Sequence, residues 1–134
     1  MKNLNIVLSD VAVLNQKVYN LHWNVRGMGF LETHKMTEAL YLLLTDKVDE
    51  IAEKISMNGV IPFSTFKAYL ENSNIKEVEP KAFTRDEVIT TVIKDLNILK
   101  QDILKVESNT SADALLEDLL QMIDMQNWLF QSSK

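Results

Sequence analysis

An all-α bundle of four long helices, with a short fifth helix in a long crossover, is the fold this sequence predicts, and three observations predict it. Apolar residues recur at helical period through four long segments. The helix breakers Gly27, Gly29, Gly59, Pro62 and Pro80 all fall between those segments. A hydrophobic content of 46% over 134 residues is enough for one domain, residues 1–134, with a substantial core.

The first helix is expected over about residues 3–26, where Leu4, Val7, Leu8, Val11, Leu14, Val18, Leu21 and Val25 form one stripe that no breaker interrupts before Gly27. The second, about 31–58, contains neither Gly nor Pro and carries Met36, Leu40, Leu43, Leu44, Val48, Ile51 and Ile55 on one face. A short helix at about 64–71 holds Phe66 and Tyr69 and runs into the polar stretch Glu71-Asn72-Ser73-Asn74. The segment Thr84-Arg85-Asp86-Glu87 reads as a capping box, because a Thr side chain and a Glu three residues later satisfy each other's free backbone N–H groups. It opens a helix over about 85–107 with Val88, Val92, Ile93, Leu96, Leu99 and Ile103. Asn109 to Ser111 interrupts, and a last helix over about 112–131 follows with Leu115, Leu116, Leu119, Leu120 and Ile123. Trp23, Trp128, Met122 and Met125 read as packing residues. Four long helices with one long connection is the ferritin-like arrangement, which hosts carboxylate-bridged metal sites.

Composition narrows the function classes. No apolar run approaches the ~20 residues of a membrane span, no signal-peptide core precedes the first helix, and there is no cysteine. A cytoplasmic protein is the expectation. The net charge of −5, with only Lys2 near one end and Lys134 at the other, argues against direct DNA binding, since neutralising phosphates needs clustered basic groups.

The second helix concentrates the chemistry. With His34 at zero and about 100° per residue, Glu38 falls near 40°, Asp49 near 60° and Glu53 near 100°. His34/Glu38 and Asp49/Glu53 are each (i, i+4) pairs, a spacing that lets two side chains reach one ion. His22, beside Leu21 on the shoulder of the first stripe, is a fifth candidate ligand. One chain cannot gather all five. His34 and Asp49 are 15 positions apart, roughly 22 Å along a helix at about 1.5 Å per residue, whereas a metal shell has a radius of only about 2.0–2.6 Å. Either these are unrelated surface groups or the site forms between two copies. A second copy of the helix, packed antiparallel across a two-fold axis near residues 43 and 44, would bring the two ends together. Mixed imidazole and carboxylate donors suit iron, manganese or zinc, with iron favoured among redox metals.

Leu21-His22-Trp23-Asn24-Val25-Arg26-Gly27, then Phe30, His34 and Asp49-Glu50-Ile51-Ala52-Glu53-Lys54-Ile55, resemble the Dps family of mini-ferritins (DNA-binding proteins from starved cells). The likeness continues through Gly59, Pro62, Tyr69-Leu70-Glu71, Ile75-Lys76-Glu77 and Trp128. It implies a hollow dodecamer built from two-fold dimers, which oxidises Fe(II), preferably with hydrogen peroxide, and stores ferric mineral. It also implies a di-iron site in which His22 and His34 of one subunit face Asp49 and Glu53 of its partner, with Zn or Mn as other occupants.

The resemblance further implies that Asp113, Glu117 and Asp118 line a three-fold pore and that Trp23, next to His22, intercepts stray oxidising equivalents. The chain departs from the family at Glu38, where an aspartate is usual, and one extra methylene shifts that carboxylate by about a bond length. That departure leaves an alternative, a non-enzymatic shell or nucleoid-associated protein whose metal site is degenerate.

Overall fold

The computed structural model describes residues 1–134. It contains five helices, α1 (Lys2–Asn24), α2 (Phe30–Met57), α3 (Phe66–Asn72), α4 (Arg85–Leu104) and α5 (Asp113–Gln131). The four long ones form an all-α bundle, and the short α3 lies in the crossover between α2 and α4.

The turn between α1 and α2 positions the site. Val25 leaves the helix for an extended conformation, which ends α1 two residues before the expected limit. A non-local pairing holds it there. Arg26 N–H donates to the Phe83 carbonyl at 2.8 Å, and Phe83 N–H donates to the Asn24 carbonyl at 3.0 Å. Gly27 and Gly29 then adopt positive φ values of 89° and 77°, a region that glycine enters without the strain of a side chain. A Cβ on Gly29 would run into the Arg85 side chain. The reversal takes only residues 25–29, so the end of α1 lies beside the start of α2.

The crossover runs the length of α1, fastened at each step by a polar side chain. Asn5 Oδ1 accepts from Phe63 N–H at 2.9 Å, and Asp10 Oδ1 accepts from Ser73 Oγ–H and Asn74 N–H, both at 2.8 Å. Lys17 Nζ donates to the Lys76 carbonyl at 2.6 Å, and Asn20 Nδ2 to that of Val78 at 3.0 Å. The chain is thereby delivered to the far end of α1 before α4 begins. Helix α4 consequently runs antiparallel to α1, and Asn3 Nδ2 reaches the Lys105 carbonyl at the opposite end.

Leu8, Leu14, Leu21, Leu40, Leu44, Ile51, Leu96, Ile123 and Phe130 are buried in a continuous apolar core. On α2 the buried arc runs through Thr33, Thr37, Leu40, Leu44, Ile51 and Ile55, away from the stripe of candidate ligands. Helix α4 opens with the expected capping box and closes at Leu104, three residues early. There Asp113 accepts from Asn109 N–H and Ser108 Oγ–H and shapes the turn into α5. Trp23, Trp128 and Met125 do not pack in the core. They are 58%, 63% and 54% exposed, and only Met122 of the four is buried.

One charged pair crosses the core boundary. Lys17 Nζ lies 2.7 Å from Asp95 Oδ2 with both side chains almost fully buried. Burial pushes the Asp95 carboxyl above its usual range, and Lys17 opposes that shift. Removing one partner strands the other charge in a low-dielectric site. Lys17→Ala is therefore expected to cost about 3–5 kcal/mol. A Lys17→Met/Asp95→Leu double variant, which strands no charge, should lose much less, as chemical denaturation of the two would reveal.

Candidate metal centre

The two histidines are locked together by reciprocal hydrogen bonds. His22 Nδ1 lies 2.7 Å from the His34 carbonyl oxygen, and His34 Nδ1 lies 3.0 Å from the His22 carbonyl oxygen. A carbonyl can only accept, so each Nδ1 carries the proton and each Nε2 keeps its lone pair. The rings stack with centroids 3.7 Å apart and 16° between planes. A second anchor holds His22, whose Nδ1 is also 2.9 Å from Thr37 Oγ1. The Thr37 hydroxyl donates in turn to a carbonyl of its own helix, at 2.9 Å to Thr33 or 3.0 Å to His34.

His22 is buried and His34 half-buried. Burial, and next the neighbouring His34 ring, hold the His22 imidazole below its usual value, while Glu38 pulls the other way. A neutral, oriented imidazole with a free Nε2 is the form that binds a metal, and a backbone carbonyl on Nδ1 is the customary support for such a ligand.

Glu38 is exposed and sits on the same side of the pair. Its charge acts on His22 and also on Tyr41, whose phenol is held above its usual range first by burial and then by Glu38. Asp49 and Glu53 are exposed further along α2. No three His, Asp or Glu side chains of the chain come close enough together to hold an ion. The structure thus joins His22 and His34, with Glu38 near enough for its charge to act on His22, and leaves Asp49 and Glu53 further along the stripe.

Tyr41, Tyr19 and Thr37 are features the sequence reading missed. The Tyr41 ring stands edge-on to His22 with centroids 5.1 Å apart. Tyr19 lies 4.3 Å from Tyr41, and Trp23 stacks on Tyr19 at 5.2 Å. Together they form an aromatic chain from the buried histidine to exposed Trp23. The signal was present, since Tyr41 is seven residues after His34 and projects only about 20° from it.

The three acidic residues near the start of α5 are not equivalent. Asp118 forms an ion pair with the buried Lys47 of α2, which also holds Glu50 at 2.9 Å. Asp113 is engaged in the α4–α5 turn. Glu117 is exposed and makes no ion pair or side-chain hydrogen bond within the chain.

Comparison with known proteins agrees with this architecture. Residues 1–132 match the ferritin-like domain model. The DNA protection during starvation protein 2 of Bacillus anthracis is 35% identical over 119 residues, covering 87% of this chain and 81% of that protein. The DNA protection during starvation protein of Listeria innocua is 29% identical over 136 residues, covering 96% and 87%. Among solved structures, antigen TpF1 from Treponema pallidum superposes with a TM-score of 0.91 at 26% identity, covering 98% of this chain and 88% of that one. Dps from Staphylococcus aureus gives 0.88 at 28% identity, covering 98% and 92%. The chain belongs to the Dps family of mini-ferritins, within the ferritin-like superfamily.

The Thr37 anchor gives the first test at the site. Thr37→Val keeps the shape but removes the oxygen from His22 Nδ1, and loss of such outer support weakens metal binding by about 10–100-fold. Zn(II) titration calorimetry on the assembled protein is expected to show a drop of that order for Thr37→Val and near-native affinity for Thr37→Ser.

Proposed function

We propose that this protein oxidises Fe(II), with hydrogen peroxide as electron acceptor, at sites shared by two copies of the chain. The ferric product is stored inside a closed shell of twelve copies, which limits damage driven by iron and peroxide. The observation that carries this reading is the histidine pair, whose two Nε2 lone pairs are fixed by reciprocal hydrogen bonds at one end of the α2 stripe that also holds Glu38, Asp49 and Glu53. Membership of the Dps family supports it.

In this reading iron is the substrate. Asp49 and Glu53 of one subunit and His34 of its two-fold partner hold the first Fe(II), with Glu53 as the carboxylate able to bridge, and His22 and Glu38 serve the second. The hard carboxylate oxygens favour the ferric product, and the neutral imidazoles keep the site open to Fe(II). Two Fe(II) each lose one electron, and one hydrogen peroxide takes both electrons and two protons to become two waters. Pairing the electrons avoids releasing hydroxyl radical.

Where only one Fe(II) is bound, the second electron must come from the protein. Tyr41, Tyr19 and Trp23 form the nearest oxidisable chain, and it leads outward to Trp23. Iron entry falls to the acidic start of α5, where Glu117 is the free carboxylate while Asp113 and Asp118 have partners inside the chain. With a net charge of −5, protection of DNA is chemical in this reading, through removal of iron and peroxide.

A shared site makes complementation the decisive genetic test. His34→Ala and Glu53→Ala chains are each expected to be inactive in peroxide-driven Fe(II) oxidation. Refolded together in equal amounts, they should recover about one quarter of wild-type activity, because half the dimers are mixed and each mixed dimer has one intact site of two. A site contained within one chain would show no recovery. A His22→Ala/Glu53→Ala double variant with undiminished oxidation would refute the assignment outright.

A further inference from the structure

Asp10 and Asp102 form a second cluster of titratable groups, remote in sequence from the histidines. Asp10, on α1, is fully buried. Its Oδ1 accepts from Ser73 Oγ–H and Asn74 N–H, and its buried Oδ2 has no donor. Asp102, on α4, is 5% exposed, and Asn74 bridges the two carboxylates, its N–H on Asp10 Oδ1 and its Nδ2 on Asp102 Oδ2. Both Asp102 oxygens are already served, Oδ2 by Asn74 Nδ2 at 2.7 Å and Oδ1 by Lys105 Nζ at 3.4 Å. Two bare carboxylates cannot be buried in contact without a cation or a proton between them. Lys105, the one cation on the pair, sits on the far, exposed side of Asp102. A proton on Asp10 Oδ2, donated to Asp102, satisfies every atom.

The cluster fastens one end of a short helix whose only residue packed against the core is the partly buried Tyr69. Helix α3 buries none of its residues. Its start is fixed where Phe63 N–H meets Asn5, and its end where Ser73 and Asn74 close on Asp10 and buried Ile75 follows. We propose that Asp10 and Asp102 share a single proton, which latches the C-terminal end of α3 to α1 and α4, and that release of this proton loosens α3 from the bundle.

The charged and titratable groups facing Asp10 are few. Helix α4 contributes Asp102 and, through it, Lys105, while the crossover contributes the uncharged Ser73 and Asn74. Burial first, then the hydrogen bond with Asp102, raises the Asp10 carboxyl from 3.8 to about 7. Burial also disfavours the Asp102 charge, but hydrogen bonds from Asp10, Asn74 and Lys105 outweigh it and leave that carboxyl below its usual range. Between 3.8 and about 7 the folded chain keeps a proton that the unfolded chain has released. Stability contributed by this pair therefore falls as pH rises through that window and levels off above it. In the folded protein the latch opens as pH passes about 7.

Two measurements on the assembled full-length protein test this. Infrared difference spectra are expected to show the carbonyl stretch of one protonated carboxylic acid at pH 6, lost by pH 9, and absent from Asp10→Asn. Hydrogen exchange of α3 amides, referred to α4 amides of the same sample to remove intrinsic base catalysis, should lose protection by up to about tenfold per pH unit above neutrality. In Asp10→Asn the carboxamide donates to Asp102 permanently, so protection should stay flat. No protonated acid at pH 6, or the same pH slope in wild type and Asp10→Asn, would overturn the proposal. If Asp10→Asn does not fold, the wild-type protein decides through coincidence: the acid band and α3 protection should be lost together as pH passes about 7, and separate midpoints would overturn the proposal.

Discussion

The rise of a helix sets the limit that organises this protein. Helix α2 is an unbroken run from Phe30 to Met57, and at about 1.5 Å per residue it keeps Asp49 and Glu53 roughly 22 Å or more from His34. No rearrangement of side chains closes that gap. If these residues are the ligands proposed above, each chain presents half of the set at each end of one face, and a complete set calls for a second chain. In the proposed function activity and assembly are then a single property, and a change that weakens the contact between copies would weaken the chemistry as well.

Within the chain, local geometry prepares the imidazole half. Two glycines at positive φ reverse the chain in the few residues between α1 and α2, and the Val25–Phe83 pairing fixes where α1 stops. His22 and His34 are then close enough to exchange hydrogen bonds with each other's backbone. That exchange sets the tautomer of both rings without any metal. The crossover, tied to α1 from Asn5 to Asn20, runs along one side of the bundle and carries α4 to the end where Phe83 closes the turn. The same polar seam includes Asp10, where the fastening depends on a proton.

The fold was legible in the sequence wherever the signal was local. Apolar periodicity and the positions of Gly and Pro outline the long helices, and the Thr84–Glu87 box marks the start of α4 to the residue. What was hidden is non-local. Val25 would continue α1 on periodicity alone, and only Phe83, 58 positions later, stops it. Asp10 carries no local signal, because the group that gives it meaning, Asp102, lies 92 positions on and is linked to it through Asn74. Trp23 and Trp128 looked like core residues because large rings are usually buried, but both lie off the buried arcs of their helices. At the site, the wheel of α2 made His34, Glu38, Asp49 and Glu53 visible as a set. Thr37 and Tyr41 escaped because a search for ligands counts donors to a metal and overlooks the groups that orient them.

Anomalous diffraction from crystals of the assembled protein soaked in Fe(II) under anaerobic conditions tests the shared site most directly. The account predicts peaks bonded to His34 Nε2 of one chain and to Asp49 and Glu53 of its two-fold partner, at metal–ligand distances of about 2.0–2.2 Å. Peaks confined to ligands of a single chain, or occupied positions away from both halves, would contradict it.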